Sequence, residues 1–265
     1  MRVPTTFGQY VPIESPIHSL DAKVKLGLVA AFTAALFMVD GFPGLAALGT
    51  ATAAAVVISR VPWRIAVRGI KTVLVILLFT LLVHALRFDA ATAALVRVGP
   101  VSIDAGGLRT GVFFVTRIVL LVVGTSLLTL TTTPVQLTDA IERLLRPLER
   151  IGFPAGDVAM MLTIALRFIP TTAAEAEKIV VAQTARGARF SEGGLLSRAR
   201  AYVPVLVPLF VNLFRRAEDL ATAMEARCYR GGVGRTRLRP AVMGAGDWTV
   251  LCCASAGLIA LGVLL

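Results

Sequence analysis

The chain has 265 residues, a formal net charge of +11 from 27 Lys and Arg against 16 Asp and Glu, and 56 % hydrophobic residues. Soluble domains sit nearer about 45–50 % apolar, so this composition, with a mean hydropathy of +0.79, excludes an ordinary water-soluble domain. The basic residues alternate with apolar runs long enough to cross a bilayer, so the charge reads as membrane topology and a basic cytoplasmic face rather than as nucleic-acid binding.

Residues 1–25 read as a cytoplasmic N-terminal segment, because Arg2 is followed by polar, Pro-containing sequence with no secretory leader pattern. Residues 26–130 hold four expected spans. The first runs from Leu26 to Val39 and the second continues to Ile58, with the turn signal Asp40-Gly41-Phe42-Pro43 between them. Both are close to the roughly 20 residues that a span needs, and together they predict a tight helical hairpin. A third block runs from Val73 to Leu86 and a fourth from about Val112 to Leu130. The loop between them, Arg87 to Gly111, contains Gly99-Pro100 and Gly106-Gly107. A fifth span, residues 247–265, begins near Trp248.

Lys and Arg placement gives the orientation. Lys23 and Lys25 precede span one, and Arg60, Arg64, Arg68 and Lys71 separate spans two and three. Residues 134–246 hold 16 of the 27 basic residues. The expected arrangement is a multi-pass plasma-membrane protein with a cytoplasmic N-terminus and a cytoplasmic region at 131–246, before a last span that ends outside.

That region is too apolar for a disordered tail. Thr133-Pro134 opens a helix in which Leu137, Ile141, Leu144, Leu145 and Leu148 follow amphipathic spacing, and Gly152-Phe153-Pro154 ends it. A second helix runs from an N-cap at Asp157 toward Arg186, with Pro170 inside. A third runs from about Ser197 to Arg227, with Pro204 and Pro208 inside. The uncharged part of the third, Ala201 to Phe214, is 14 residues. That is about 21 Å of helix against a roughly 30 Å hydrocarbon core, so it reads as an interfacial helix. The fold class is therefore all-α, with about five transmembrane helices and about three amphipathic cytoplasmic ones.

Catalytic patterns are missing from the sequence. There is no phosphate-binding loop, and Gly231-Gly232-Val233-Gly234 neither follows a strand nor opens a helix. His18 and His84 share no metal spacing, and Cys228, Cys252 and Cys253 read as packing residues. No Gly-x-Ser-x-Gly elbow occurs. Neither a cofactor nor a metal site is expected.

Two helix ends resemble each other instead. One reads Ala185-Arg186-Gly187-Ala188-Arg189 and the other Ala226-Arg227-Cys228-Tyr229-Arg230. An arginine in a last turn complements the helix dipole, and Gly187 suits the residue after the cap. A guanidinium at a helix tip also suits an acidic or carbonyl-lined groove on a partner. Arg117 is a further oddity, a charge inside span four that must snorkel to the interface or find a partner; Asp40, Asp89 and Asp104 lie on the same side.

These features resemble the T component of energy-coupling factor transporters, the EcfT/CbiQ-type family. The matching segments are His18-Ser19-Leu20-Asp21-Ala22-Lys23-Val24-Lys25-Leu26, with Ala22 where Pro is usual, then Thr131-Thr132-Thr133-Pro134 with Leu137, then Ala165-Leu166-Arg167-Phe168-Ile169-Pro170, then the two Ala-Arg-Gly motifs. The second motif departs, with Cys228 where Gly is typical, which puts its cap in question and leaves Gly231 to take the turn. The resemblance implies a non-catalytic subunit between two ABC-type ATPase subunits and a small membrane subunit that captures a vitamin or transition-metal ion. Arg186 and Arg227, with Ala185, Gly187, Ala226 and Cys228, are then the ATPase-coupling residues. The capture subunit is the other place Arg117 could contact. A self-contained secondary transporter would need acidic residues at mid-membrane, and a membrane enzyme would need a His, Asp or Glu cluster at one face.

Overall fold

The computed structural model describes residues 10–87, 94–98, 101–190, 192, 194–231 and 244–264. The described residues form two compact units, one from 8–140 with 240–265 and one from 141–239. Helices dominate both.

The first unit is a bundle of apolar helices. After a short α1 (Pro16–Ser19) come α2 (Ala22–Met38), α3 (Phe42–Ile58), α4 (Trp63–Ala66), α5 (Arg68–Ala85), α6 (Ala105–Thr131) and α7 (Pro134–Leu145), which carries the chain toward the second unit. Asp21 caps α2 by accepting from the Lys23 N–H at 2.8 Å, which starts the helix four residues before the apolar run. Pro43 opens α3 and makes the sharp return the sequence predicts. The loop after α5 carries a small antiparallel sheet, β1 (Leu86–Arg87), β2 (Ala94–Val98) and β3 (Val101–Asp104), in the order β1-β3-β2. Gly106 and Gly107, expected in that loop, lie inside α6. The reason is contact: a side chain at Gly107 would collide with the main chain of His84 on α5.

Contacts fix the helix directions. Gly27 meets Leu251 and Gly262 meets Ala35, so α2 runs parallel to a final helix in this unit, numbered α11 below (Ala245–Leu264). A Cβ at Gly262 would sit 3.1 Å from the Ala35 carbonyl oxygen, so glycine there lets the backbones approach. Gly124 of α6 faces Phe32 of α2, and Lys25 of α2 reaches Thr131 of α6, so those two helices are antiparallel. Residues 131 and 245 therefore lie at the same end of the bundle. Leu36, Leu45 and Leu48 form its buried centre.

Two cations tie α2 and α6 together reciprocally. Lys25, a residue only 5 % exposed, donates from its ammonium to the Thr131 carbonyl at 2.9 Å and the His18 carbonyl at 3.2 Å. Arg117 of α6 donates from Nη2 to the carbonyl of Val39, the C-cap of α2. Its guanidinium lies 4.7 Å from the ring of Phe113 and 5.7 Å from that of Phe114. The cation that the sequence leaves without a partner thus meets a main-chain carbonyl at the α2–α3 turn. Of the acids on that side, Asp89 and the Asp104 side chain lie outside the described residues. Near Lys25, the His18 ring contacts the Val11 carbonyl through Nε2 (3.2 Å) and Ser15 Oγ through Nδ1 (2.7 Å). A carbonyl only accepts, so Nε2 carries the proton and Nδ1 accepts from the hydroxyl. Burial, with Lys25 alongside, lowers the His18 pKa and keeps this ring neutral.

The second unit contains the end of α7, a 3-10 turn at Arg146–Ile151 that Pro147 opens, α8 (Ala155–Ala185), α9 (Leu195–Ala201) and α10 (Val203–Ala226). Asp157 lies in the first turn of α8 rather than capping it. The single helix expected from Ser197 to Arg227 divides at Tyr202, because Pro204 is tolerated only in the first turn of a new helix. Pro208 leaves the Pro204 carbonyl without its helical donor, and Gln183 Nε2 of α8 contacts that oxygen at 3.4 Å. The two long helices are antiparallel neighbours joined by a polar clamp. Glu175 accepts from Asn212 Nδ2 at 2.7 Å and from Arg216 Nη2 at 3.0 Å, while Arg216 Nη1 donates to Thr171 Oγ1 at 3.2 Å.

Replacing Lys25 with Met strands one buried and one partly buried carbonyl and is expected to cost about 1–3 kcal/mol. In detergent this reads as a lower thermal unfolding midpoint for Lys25→Met, with Lys23→Met, two residues away, close to the parent.

Candidate functional site

The two sequence motifs fold into the same helix terminus. α8 ends at Ala185, Arg186 occupies the cap with φ −83 and ψ 4, and Gly187 turns left-handed with φ +90. The Gly187 N–H then donates to the Thr184 carbonyl at 2.9 Å, and the Ala188 N–H donates to Gln183 at 2.9 Å. α10 ends at Ala226, Arg227 occupies the cap with φ −92 and ψ 14, and Cys228 turns left-handed with φ +57. The Cys228 N–H donates to Glu225 at 2.8 Å and the Tyr229 N–H to Met224 at 3.0 Å. Both are Schellman ends, in which two main-chain donors satisfy the last carbonyls of the helix.

Cys228 therefore keeps the cap that its side chain disfavours, and Gly231 (φ +85) makes a separate turn three residues later. The conformation, not space, explains glycine at the first tip, since a Cβ at Gly187 would meet nothing within 4 Å. A third Schellman end, at Gly152, closes with the same hydrogen-bond pattern but has Ile151 in the arginine's place. The cap alone thus does not define the candidate site. The arginine on it does.

Because the main chain satisfies these carbonyls, the two guanidiniums are left over. Arg186 and Arg227 are exposed, and among the described residues neither has an ion-pair partner. Ala185, Ala226, Gly187 and Cys228 are exposed around them, so each tip presents a small-residue collar and one long cation. Beside the first tip, Arg189 pairs with Glu192 at 2.9 Å and Phe190 stacks at 5.0 Å on Tyr202. Beside the second, the Tyr229 hydroxyl lies 3.4 Å from Asp157 Oδ1 at the start of α8.

The tips are held apart. Contacts between α8 and α10 pair 183 with 204, 175 with 212, 171 with 216 and 157 with 229, which is antiparallel over most of their length. From 157 to 183 an α-helix rises about 39 Å, so the arginines occupy opposite ends of one stiff pair. The Glu175–Asn212–Arg216 clamp joins residues 37 and 41 apart in sequence, beyond the reach of local patterns. Its signal was the polar middle of α8, together with Asn212 interrupting an apolar run. Among the described residues no group of three His, Cys, Asp or Glu side chains could hold a metal ion.

Comparison with known proteins places these features in a wider set. The family model described as "Cobalt transport protein", CbiQ, matches residues 14–238. The chain is 49 % identical over 245 residues to the energy-coupling factor transporter transmembrane protein EcfT of Heliobacterium modesticaldum, covering 92 % of this chain and 91 % of that protein. It is 45 % identical over 260 residues to the EcfT protein of Thermosediminibacter oceani, covering 98 % and 97 %. Against the EcfT protein of Bacillus subtilis it is 43 % identical over 244 residues, covering 92 % of each.

A left-handed conformation costs a residue with a side chain about 1–2 kcal/mol, whereas glycine adopts it freely. Cys228→Gly is expected to raise the thermal unfolding midpoint, and Gly187→Ala to lower it.

Proposed function

The chain belongs to the CbiQ family of energy-coupling factor transmembrane (EcfT) proteins, and from that membership we propose that it is the coupling subunit of an ATP-driven importer. In this reading two ABC-type ATPase subunits supply the hydrolysis and a small membrane subunit captures the substrate, a vitamin or a transition-metal ion. The chain itself transmits motion between them and carries out no chemistry. The observation that carries the proposal is the pair of exposed arginines, unpaired among the described residues, at opposite ends of one clamped helix pair.

The mechanism follows from stiffness and charge. Each guanidinium offers a planar fork of donors suited to a carboxylate or carbonyl-lined groove. With Arg186 seated on one ATPase and Arg227 on the other, closure of the ATPases changes the distance between the seats. The α8–α10 pair resists bending through the Glu175 clamp, so it rotates or tilts as a unit rather than absorbing the change. The capture subunit, resting on the apolar faces of these helices, is tipped by that motion.

Topology supports cytoplasmic tips. Residues 131 and 245 lie at one end of the bundle, so the chain between them crosses the membrane an even number of times. α8 is long and apolar enough to cross by length and composition, but α10 is not among the helices that meet that standard. One crossing alone is forbidden by parity, which favours none. Sixteen of the 27 basic residues then fall on the cytoplasmic side with the N-terminus, as positive-inside placement requires. A gradient-driven carrier is disfavoured, since helices α2, α3, α5 and α6 contain no Asp or Glu.

Removing a buried, hydrogen-bonded interfacial charge typically costs about 2–5 kcal/mol, so Arg186→Ala combined with Arg227→Ala is expected to abolish ATPase co-purification and ATP-dependent uptake. The bundle stays folded, with an unchanged thermal midpoint. Intact uptake and intact ATPase association in the double variant overturn the proposal.

A further inference from the structure

The chain between α3 and α5 turns through a basic elbow. Arg60, Arg64, Arg68 and Lys71 are all exposed there, and among the described residues none has an ion-pair partner. No Asp or Glu occurs from residue 41 to residue 88, so no neighbour along the chain offsets them. Val61 and Ala66 of the elbow pack on Leu130, which places it at the end of the bundle where α6 stops.

Arg60 is the informative residue. α3 ends at Ile58, Ser59 caps it, and Arg60 follows in the left-handed region with φ +56, its N–H donating to the Val57 carbonyl at 3.1 Å. Glycine takes that conformation freely, as Gly152 and Gly187 do at other helix ends, whereas a residue with a side chain is strained in it. A strained arginine whose charge is paired with nothing in the bundle points to a use for the charge itself.

The helices that lead to the elbow show what it faces. Val57 and Ile58 are exposed at the end of α3, just before Arg60. Lys71 begins an exposed stripe on α5 that continues through Val75, Leu78 and Leu82 at helical spacing. The helical stretch Trp63–Ala85 is long and apolar enough to cross a bilayer, so such a stripe faces hydrocarbon and the cations at its end sit at headgroup depth. Trp63 is exposed beside them, with the Arg64 guanidinium 5.8 Å from its ring, and an amphipathic indole suits the same layer. A cluster of cations at the bilayer surface, with no acid among them, favours lipids of net negative charge over zwitterionic ones.

We propose that this elbow binds the headgroups of anionic phospholipids, with Arg60, Arg64, Arg68 and Lys71 supplying the charge and Trp63 fixing the depth. Only the crossing of α5 is required for this, and the coupling role of the helix tips is not.

The test uses the full chain, alone and in the assembled transporter, in phosphatidylethanolamine vesicles containing phosphatidylglycerol with a diazirine in its headgroup. Photolysis is expected to label the peptide spanning residues 59–72, and unlabelled phosphatidylglycerol competes whereas phosphatidylcholine does not. Arg60→Gly relieves the left-handed strain, so it is expected to keep or raise the thermal unfolding midpoint while cutting this labelling about fivefold, the effect of one interfacial cation. Arg64→Gln combined with Arg68→Gln is expected to cut it at least tenfold, and Arg60→Lys to leave it near the parent. Labelling that phosphatidylcholine competes equally overturns the proposal, as does labelling indifferent to Arg60→Gly or to the double variant. Labelling seen on the isolated chain but lost in the assembled transporter means that a partner subunit covers the elbow, and overturns it as well.

Discussion

The last carbonyls of a helix need donors, and beside a membrane water does not reliably supply them. This protein meets that constraint in two ways, and the difference separates the arginine that closes a helix end from the two that are left facing outward. Inside the bundle, cations serve the carbonyls: Lys25 closes the end of α6 at Thr131, and Arg117 closes the end of α2 at Val39. In the second unit the main chain serves them through left-handed residues at Gly187 and Cys228, and the arginines of both caps are released to face outward.

The same accounting explains the N-terminal signature. His18, Asp21 and Lys25 are spaced so that one turn caps α2, presents a carbonyl to the lysine and brings the lysine to the end of α6. The neutral His18 ring secures the incoming strand by holding the Val11 carbonyl, while the Val11 N–H donates to Leu130 at 3.0 Å. These few polar residues fix the register between α2 and α6, and the glycine contacts fix α11 against α2. Everything that enters or leaves the bundle at this end is positioned by that register, including the start of α7.

Much of this organisation was legible in the sequence because membrane spans and helix caps are local signals. The hairpin at Asp40-Gly41-Phe42-Pro43, the five apolar segments and the two Ala-Arg ends need only a window of about 20 residues to read. What stayed hidden depends on partners distant in sequence. The carbonyl that Arg117 finds is 78 residues away, and Asn212 and Glu175 are 37 apart. Gly106 and Gly107 looked like loop residues because the neighbour that requires glycine belongs to α5. The division at Tyr202 has a local signal, since Pro204 starts a helix better than it interrupts one. Cys228 lacks glycine's freedom, yet the hydrogen bonds of that terminus carry it into the conformation glycine prefers.

If the tips are coupling elements, the released arginines and their small-residue collars must touch the ATPases directly. Site-specific photocrosslinking from position 185 and from position 226 in the assembled, membrane-embedded transporter examines that contact without removing either arginine. The account predicts a covalent adduct with an ATPase subunit from each position. Adducts formed only with lipid or with the capture subunit would contradict it.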